Sequence, residues 1–214
     1  MREKAESTKE LTKLLDRAGK EDMNNLAKIL FKDKYENKTV KEIIHELRYA
    51  GSHNISYLFR RFQGVHYLEI VRAVAKHLKV DKKYWENIHD VEVIEQQVVL
   101  KAWDIIWNKM SEKEKEKLKQ ELEKEGFNGF DVTKGKFPIK PLIALLGTIM
   151  GRTILKLLAG RIVVGAIDGG PIGITIATLW LVIDIAGPAY RKTVPAVIQI
   201  AYIRQNDKLA NLGV

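Results

Sequence analysis

The run from Phe137 to Arg204 constrains this chain most, because between Ile162 and Ala186 its only charges are Asp168 and Asp184. A stretch so poor in charge is withdrawn from water, into a protein core or into lipid. Gly169-Gly170-Pro171 punctuates it. Gly takes up positive φ and Pro lacks the donor that a continuing helix needs, so these residues predict a tight turn between two helices. A helix rises about 1.5 Å per residue, and a bilayer core of about 30 Å takes roughly 20 apolar residues. The first helix, expected over Leu142–Ile167, is long enough but carries Arg152, Lys156 and Arg161. Each of these costs about 2.5–3.5 kcal/mol near a bilayer centre. The second, Ile172–Ala186, includes Ile176 and Trp180 and extends only about 23 Å. Gly187-Pro188 stops it.

Three uses of such a hairpin stand open. Burial as a core wrapped by soluble helices suits the charges. A hairpin sheltered in solution that can enter a membrane suits two near-span helices joined by a tight turn. A constitutive two-span protein suits least, given the cations and the short second helix. Asp168 and Asp184 are candidate buried acids, expected to pair with Arg152, Lys156 or Arg161, since a buried charge needs a match. A third helix is expected over Ala189–Arg204, with Val194, Val197, Ile198, Ala201 and Tyr202 at helical spacing and Pro195 as an early-turn residue or a kink. Gly147-xxx-Gly151 would let two helix backbones approach closely.

Upstream the texture changes to mixed charge. Ser7-Thr8-Lys9-Glu10, Thr39-Val40-Lys41-Glu42 and Ser111-Glu112-Lys113-Glu114 read as capping boxes that open helices. Gly19 is expected to end the first helix, and helical sets follow through Met23–Leu30, Ile43–Leu47, Ile55–Phe62 and Leu68–Leu78. Asp81 predicts the cap of one long helix from Lys82 to Met110, and the charged helix after Ser111 should end at Gly126. No strand-like alternation occurs. The expected organisation is all-α: an amphipathic helical bundle over 1–126, a linker over 127–137, and a hydrophobic hairpin region with a final helix over 138–214.

The net charge is +9, from 36 Lys+Arg against 27 Asp+Glu, and Pro138–Val214 holds 8 of those cations and 3 of the acids. The cationic excess therefore concentrates around the apolar segment, where Arg152, Lys156, Arg161, Arg191 and Lys192 would form a cationic face toward anionic lipid. The absence of cysteine excludes disulfides, thiolate metal sites and a Cys nucleophile. The opening residues hold no apolar h-region, so a cytoplasmic location, peripheral to the inner membrane, is expected.

The blocks Gly51, Asn54-Ile55, Leu58-Phe59-Arg60, Gly64-Val65, Tyr67, Glu69-Ile70 and Lys76–Val80, with Ala186–Arg204 at the far end, resemble the YaaW-like bacterial family. Members of that poorly characterised family are often labelled ubiquinol–cytochrome c chaperone-like. The resemblance implies an assembly factor that binds an apolar partner segment.

Catalytic signatures are missing from the sequence. His45-Glu46 has no second His four residues on, and His89, Asp90 and Glu92 read as a solvated turn. Gly147–Arg152 lacks the Lys-Ser/Thr of a phosphate loop, and no Ser lies in a Gly-x-Ser-x-Gly setting. Arg60 and Arg61 beside Phe59 and Phe62 could bind single-stranded nucleic acid, but they fit Phe inward and Arg outward better. The expected function is a non-enzymatic, membrane-interacting and in its strongest form pore-forming helical protein, with no cofactor or metal. Its expected partners are an anionic membrane surface, and a protein partner or a second copy. The alternatives are the soluble assembly factor and, third, a nucleic-acid-binding protein.

Overall fold

The final helix, expected to pack with the N-terminal bundle, does so and runs through its centre. A computed structural model describes residues 2–54, 65–124, 139–147 and 189–211, and every regular element among them is helical. In chain order these are α1 (Arg2–Arg17), α2 (Lys20–Phe31), α3 (Val40–Asn54), α4 (Tyr67–His77), α5 (Val91–Lys109), α6 (Glu112–Lys124), a helical segment 139–147, and α7 (Tyr190–Asn211). No described helix is long and apolar enough to cross a membrane.

From Thr193 to Ala201 every residue of α7 is buried, as is Ile203. A helix apolar on all sides belongs inside a protein, and α7 packs against α1, α2, α3, α4 and α5. Those helices supply one-sided faces: Leu11, Leu14 and Leu15; Leu26, Ile29 and Leu30; Ile43 and Leu47; Leu68, Val71 and Val74; Ile94, Val98 and Ile106. Together with Leu142, Ile143 and Leu146 of the segment 139–147 they form one core. The 3.6-residue spacing read in the sequence is what put each of these side chains inward.

Two close approaches depend on missing Cβ atoms. Gly51 lies within α3, and a Cβ there would meet Ile70 Cγ1 at 2.6 Å and Val65 Cγ2 at 2.9 Å. Gly147 lies against Tyr202 of α7, where a Cβ would overlap the Tyr202 Cβ and ring. The closeness read from Gly147-xxx-Gly151 is thus seen at its first glycine, toward α7.

Two capping boxes hold and one does not. Glu42 accepts from the Thr39 amide at 2.9 Å and hydroxyl at 2.8 Å, and those hydrogen bonds draw its pKa down to about 2. Glu114 accepts likewise from the Ser111 amide and hydroxyl. Ser7 and Thr8, however, lie inside α1, which begins at Arg2. Their hydroxyls reach across the bundle and accept from the amides of Leu68 (3.1 Å) and Tyr67 (3.2 Å). They satisfy the first turn of α4 instead of their own helix, because a helix start buried against a neighbour can take its acceptors from that neighbour. The long helix expected over Lys82–Met110 is also corrected. Asp81 caps only the 3-10 turn Lys82–Tyr84, and Asp90 starts α5 by accepting from Glu92 and Val93. Two aspartate caps nine residues apart in sequence divide what periodicity alone would join.

Candidate functional site

The helices that hold α7 define two ends of the bundle. At one end Glu95 of α5 is 1% exposed, and its carboxylate is fully engaged. The Tyr67 hydroxyl donates to Glu95 Oε1 at 2.7 Å, and Arg204 donates from Nε to Oε2 at 2.8 Å and from a terminal nitrogen to Oε1 at 3.0 Å. Burial, then the neighbouring Glu95 charge, holds the Tyr67 phenol well above its ordinary pKa. Burial works against the Arg204 charge, but the Glu95 carboxylate more than offsets it and keeps the guanidinium protonated. Arg17–Asp207 at 2.8 Å and Lys208–Glu92 at 2.6 Å extend the network outward.

At the other end α7 begins at Tyr190, whose ring stacks on His77 at the end of α4, with centroids 4.1 Å apart. Lys192, two residues on, pairs with Glu46 of α3 at 2.6 Å. The first turn of α7 is closed by Ala189, whose carbonyl accepts from the Thr193 amide and hydroxyl. Beside α7 runs the segment 139–147, tied by Gln205 donating to the Lys140 carbonyl at 2.9 Å and by the Gly147–Tyr202 contact. The bundle therefore grips the chain immediately before residue 148 and immediately after residue 188.

The Tyr67–Glu95–Arg204 cluster offers little chemistry. Its phenol and guanidinium are held protonated, and each Glu95 oxygen already accepts a hydrogen bond. It suits a structural role, fixing the rotation and depth of α7. No group of His, Asp and Glu that could hold a metal occurs among the described residues. What the geometry provides is a fixed position for the chain at Gly147 and again from Ala189.

Of the residues singled out in sequence, Arg191 is exposed and Lys192 pairs with Glu46. Arg152, Lys156, Arg161, Asp168, Gly169, Gly170, Pro171, Ile176, Trp180 and Asp184 lie outside the described residues, as do the aromatic-basic residues Tyr57–Phe62. Sequence reasoning missed the Glu95 cluster, Tyr190 and His77. A Glu inside an otherwise inward-facing run of α5 and an Arg within the last apolar helix were the available signals.

No family model matches the chain, and no solved structure matches it at a significant level. Over 191 residues, 81% of this chain and 74% of the relative, it is 29% identical to a UPF0174 protein of Helicobacter pylori strain J99. Over 198 residues, 78% of this chain and 88% of the relative, it is 29% identical to a UPF0174 protein of Helicobacter pylori strain 26695. The chain is therefore similar to bacterial UPF0174 proteins along most of its length.

Proposed function

We propose that this is a non-enzymatic, membrane-interacting protein whose helical bundle holds the apolar segment 148–188 for delivery to an anionic lipid surface, in the strongest form as a pore. The observation that carries the reading is the grip on both ends of that segment, at Gly147 against Tyr202 and at Tyr190 against His77. A segment whose interior charges between Ile162 and Ala186 are only Asp168 and Asp184 is thereby tethered at both ends to a charged, water-compatible bundle. The cations Arg152, Lys156 and Arg161 within it and Arg191 beyond it favour an anionic surface. A cytoplasmic protein working at the inner face of a membrane fits this reading. The YaaW-like motifs of Leu47–Val80 are part of the proposal as a kinship finer than the UPF0174 similarity.

The test is lipid co-sedimentation and dye release with vesicles of phosphatidylglycerol and phosphatidylcholine. Wild type should bind and release dye, and less so at high salt, because exposed charges are screened beyond about 10 Å at 0.1 M. Ile176→Asp should abolish release, at an insertion cost of about 2.5–3.5 kcal/mol, while its circular dichroism and melting stay close to wild type. A folded wild type that neither sediments with lipid nor releases dye would refute the reading, and an assembly factor with an apolar client would replace it.

A further inference from the structure

The turn at which the chain re-enters the bundle is fastened differently from the rest of α7. Pro195 has no N–H to offer the Arg191 carbonyl, so the turn Tyr190–Val194 is joined to the helix by one ladder hydrogen bond fewer. It is held sideways by the Tyr190–His77 stack, with rings inclined by 25°, and by the Lys192–Glu46 pair. His77 Nε2 is buried with no hydrogen-bond partner. A neutral imidazole tolerates that site, whereas an imidazolium would bury an N–H without an acceptor.

We propose, building on the membrane reading above, that His77 and Tyr190 form an acid-sensitive latch. Protonation of His77 breaks the stack and frees the first turn of α7.

The charges around His77 do not compensate a proton there. From α3 the acid at this level is Glu46, already bound to Lys192. From α7 come Tyr190, whose phenol is raised by burial, and the cations Arg191 and Lys192. On α4 itself Arg72 and Lys76 add positive charge. Of the acids of α5, Glu92 and Glu95 are engaged with Lys208 and Arg204, Asp104 is exposed, and Glu95 lies at the Tyr67 end of α4. α1 meets α4 at that same far end, through Ser7 and Thr8. Burial is what lowers the His77 pKa below its ordinary 6.5. The opened state, with the ring in water, binds the proton more readily. Closed-state stability is therefore full above pH 6.5 and falls as pH drops from there through the folded-state pKa.

The chain has no cysteine, so a single Ala189→Cys variant of the full chain reports opening by its thiol-labelling rate. Each rate is divided by that of the urea-unfolded chain at the same pH, which removes the chemistry of the thiol itself. Between pH 7.5 and pH 5 the corrected rate should rise several-fold. Adding His77→Phe, which keeps a stacking ring but cannot titrate, should flatten the profile. Tyr190→Leu should label fast at both pH values, and it serves as the second variant if His77→Phe fails to fold. A corrected rate that is flat in the parent overturns the latch, as does one that slows on acidification, the result a cation–π attraction would give. An acid rise that survives His77→Phe also overturns it. Vesicle binding to phosphatidylglycerol should rise over the same pH range. Opening with no lipid binding at either pH would sustain the latch and refute the membrane reading. Lipid binding equal at both pH values despite opening would overturn the latch as its regulator.

Discussion

Replacing Arg204 by Met is expected to destabilise the bundle more than removing the whole ion pair. Glu95 is 1% exposed and accepts hydrogen bonds from Arg204 and the Tyr67 hydroxyl. Arg204→Met withdraws both guanidinium bonds and leaves a carboxylate with one phenol donor. Removing one partner of a buried pair costs about 3–5 kcal/mol, whereas exchanging both for apolar groups of similar volume is often neutral or stabilising. Arg204→Met should therefore lose about 3–5 kcal/mol, and Glu95→Leu combined with Arg204→Met should regain most of it. Tyr67→Phe removes one hydrogen bond to a charged acceptor that Arg204 still satisfies, so its cost should stay near or below about 1.5–3 kcal/mol.

The assay is urea unfolding followed by circular dichroism, with the four members of the Glu95/Arg204 cycle compared at matched slope. A double variant as unstable as Arg204→Met alone would refute the reasoning. It would mean that the loss came from packing of the Arg204 stem, not from the stranded charge.

A chain ending within residues 127–137 loses α7, against which α1 to α5 pack; it is expected to unfold non-cooperatively and bind hydrophobic dyes, and a sharp urea transition from that fragment would show that residues 1–126 fold alone. Gly147→Ala should lower stability by about 1–3 kcal/mol through overpacking against Tyr202, although Gly→Ala in an unobstructed helix gains about 1 kcal/mol. Thermal or urea melts that show a gain would place Tyr202 away from Gly147.

Much of the fold was legible because its helices carry local signals. The Thr39–Glu42 and Ser111–Glu114 boxes and the inward faces of α2, α4 and α5 need nothing beyond their own segments. For Ser7 and Thr8 the decisive partner is distant in sequence, whereas the break before α5 is local and lies in two aspartate caps. Ser7 and Thr8 have the side chains of helix-opening residues, and only the buried start of α4, some sixty residues on, shows where those oxygens go. Lys79 closes α4 in the left-handed conformation, with φ 61°, while the Val80 amide bonds to Ala75 and the Lys79 amide to Lys76. That position usually carries Gly, so nothing in the residue type announced it. The pattern of the last helix showed that it would be apolar, but burial on all sides follows from which helices surround it. The site was legible only as an apolar segment with a glycine-proline turn. The pairing of Glu95 with Arg204 and of His77 with Tyr190 is tertiary.

The position of α7 within the fold also bears on how the apolar segment is handled. Arg17 pairs with Asp207 across a separation of 190 residues, and Glu46 with Lys192 across 146. The core of α1 to α5 therefore cannot be completed until residues 148–188 have been synthesised, because α7 follows them. Such long closures are not entropically prohibitive, since each doubling of loop length costs only about 0.6 kcal/mol. Each Val or Ile buried along α7 returns about 1.5–3 kcal/mol. Completing the bundle thus fixes both ends of the segment at once, at Gly147 beside Tyr202 and at Ala189 just before Tyr190. Those anchor points lie roughly 20 Å apart along α7 at 1.5 Å per residue. The two ends are held by different physics. At Gly147 the fit is steric, and titration does not change it. At Tyr190 it is a stack on an imidazole with an unpartnered buried nitrogen, beside a proline that has already removed a helix hydrogen bond. The proposed latch would therefore loosen on acidification at Tyr190 while the Gly147–Tyr202 contact stays in place.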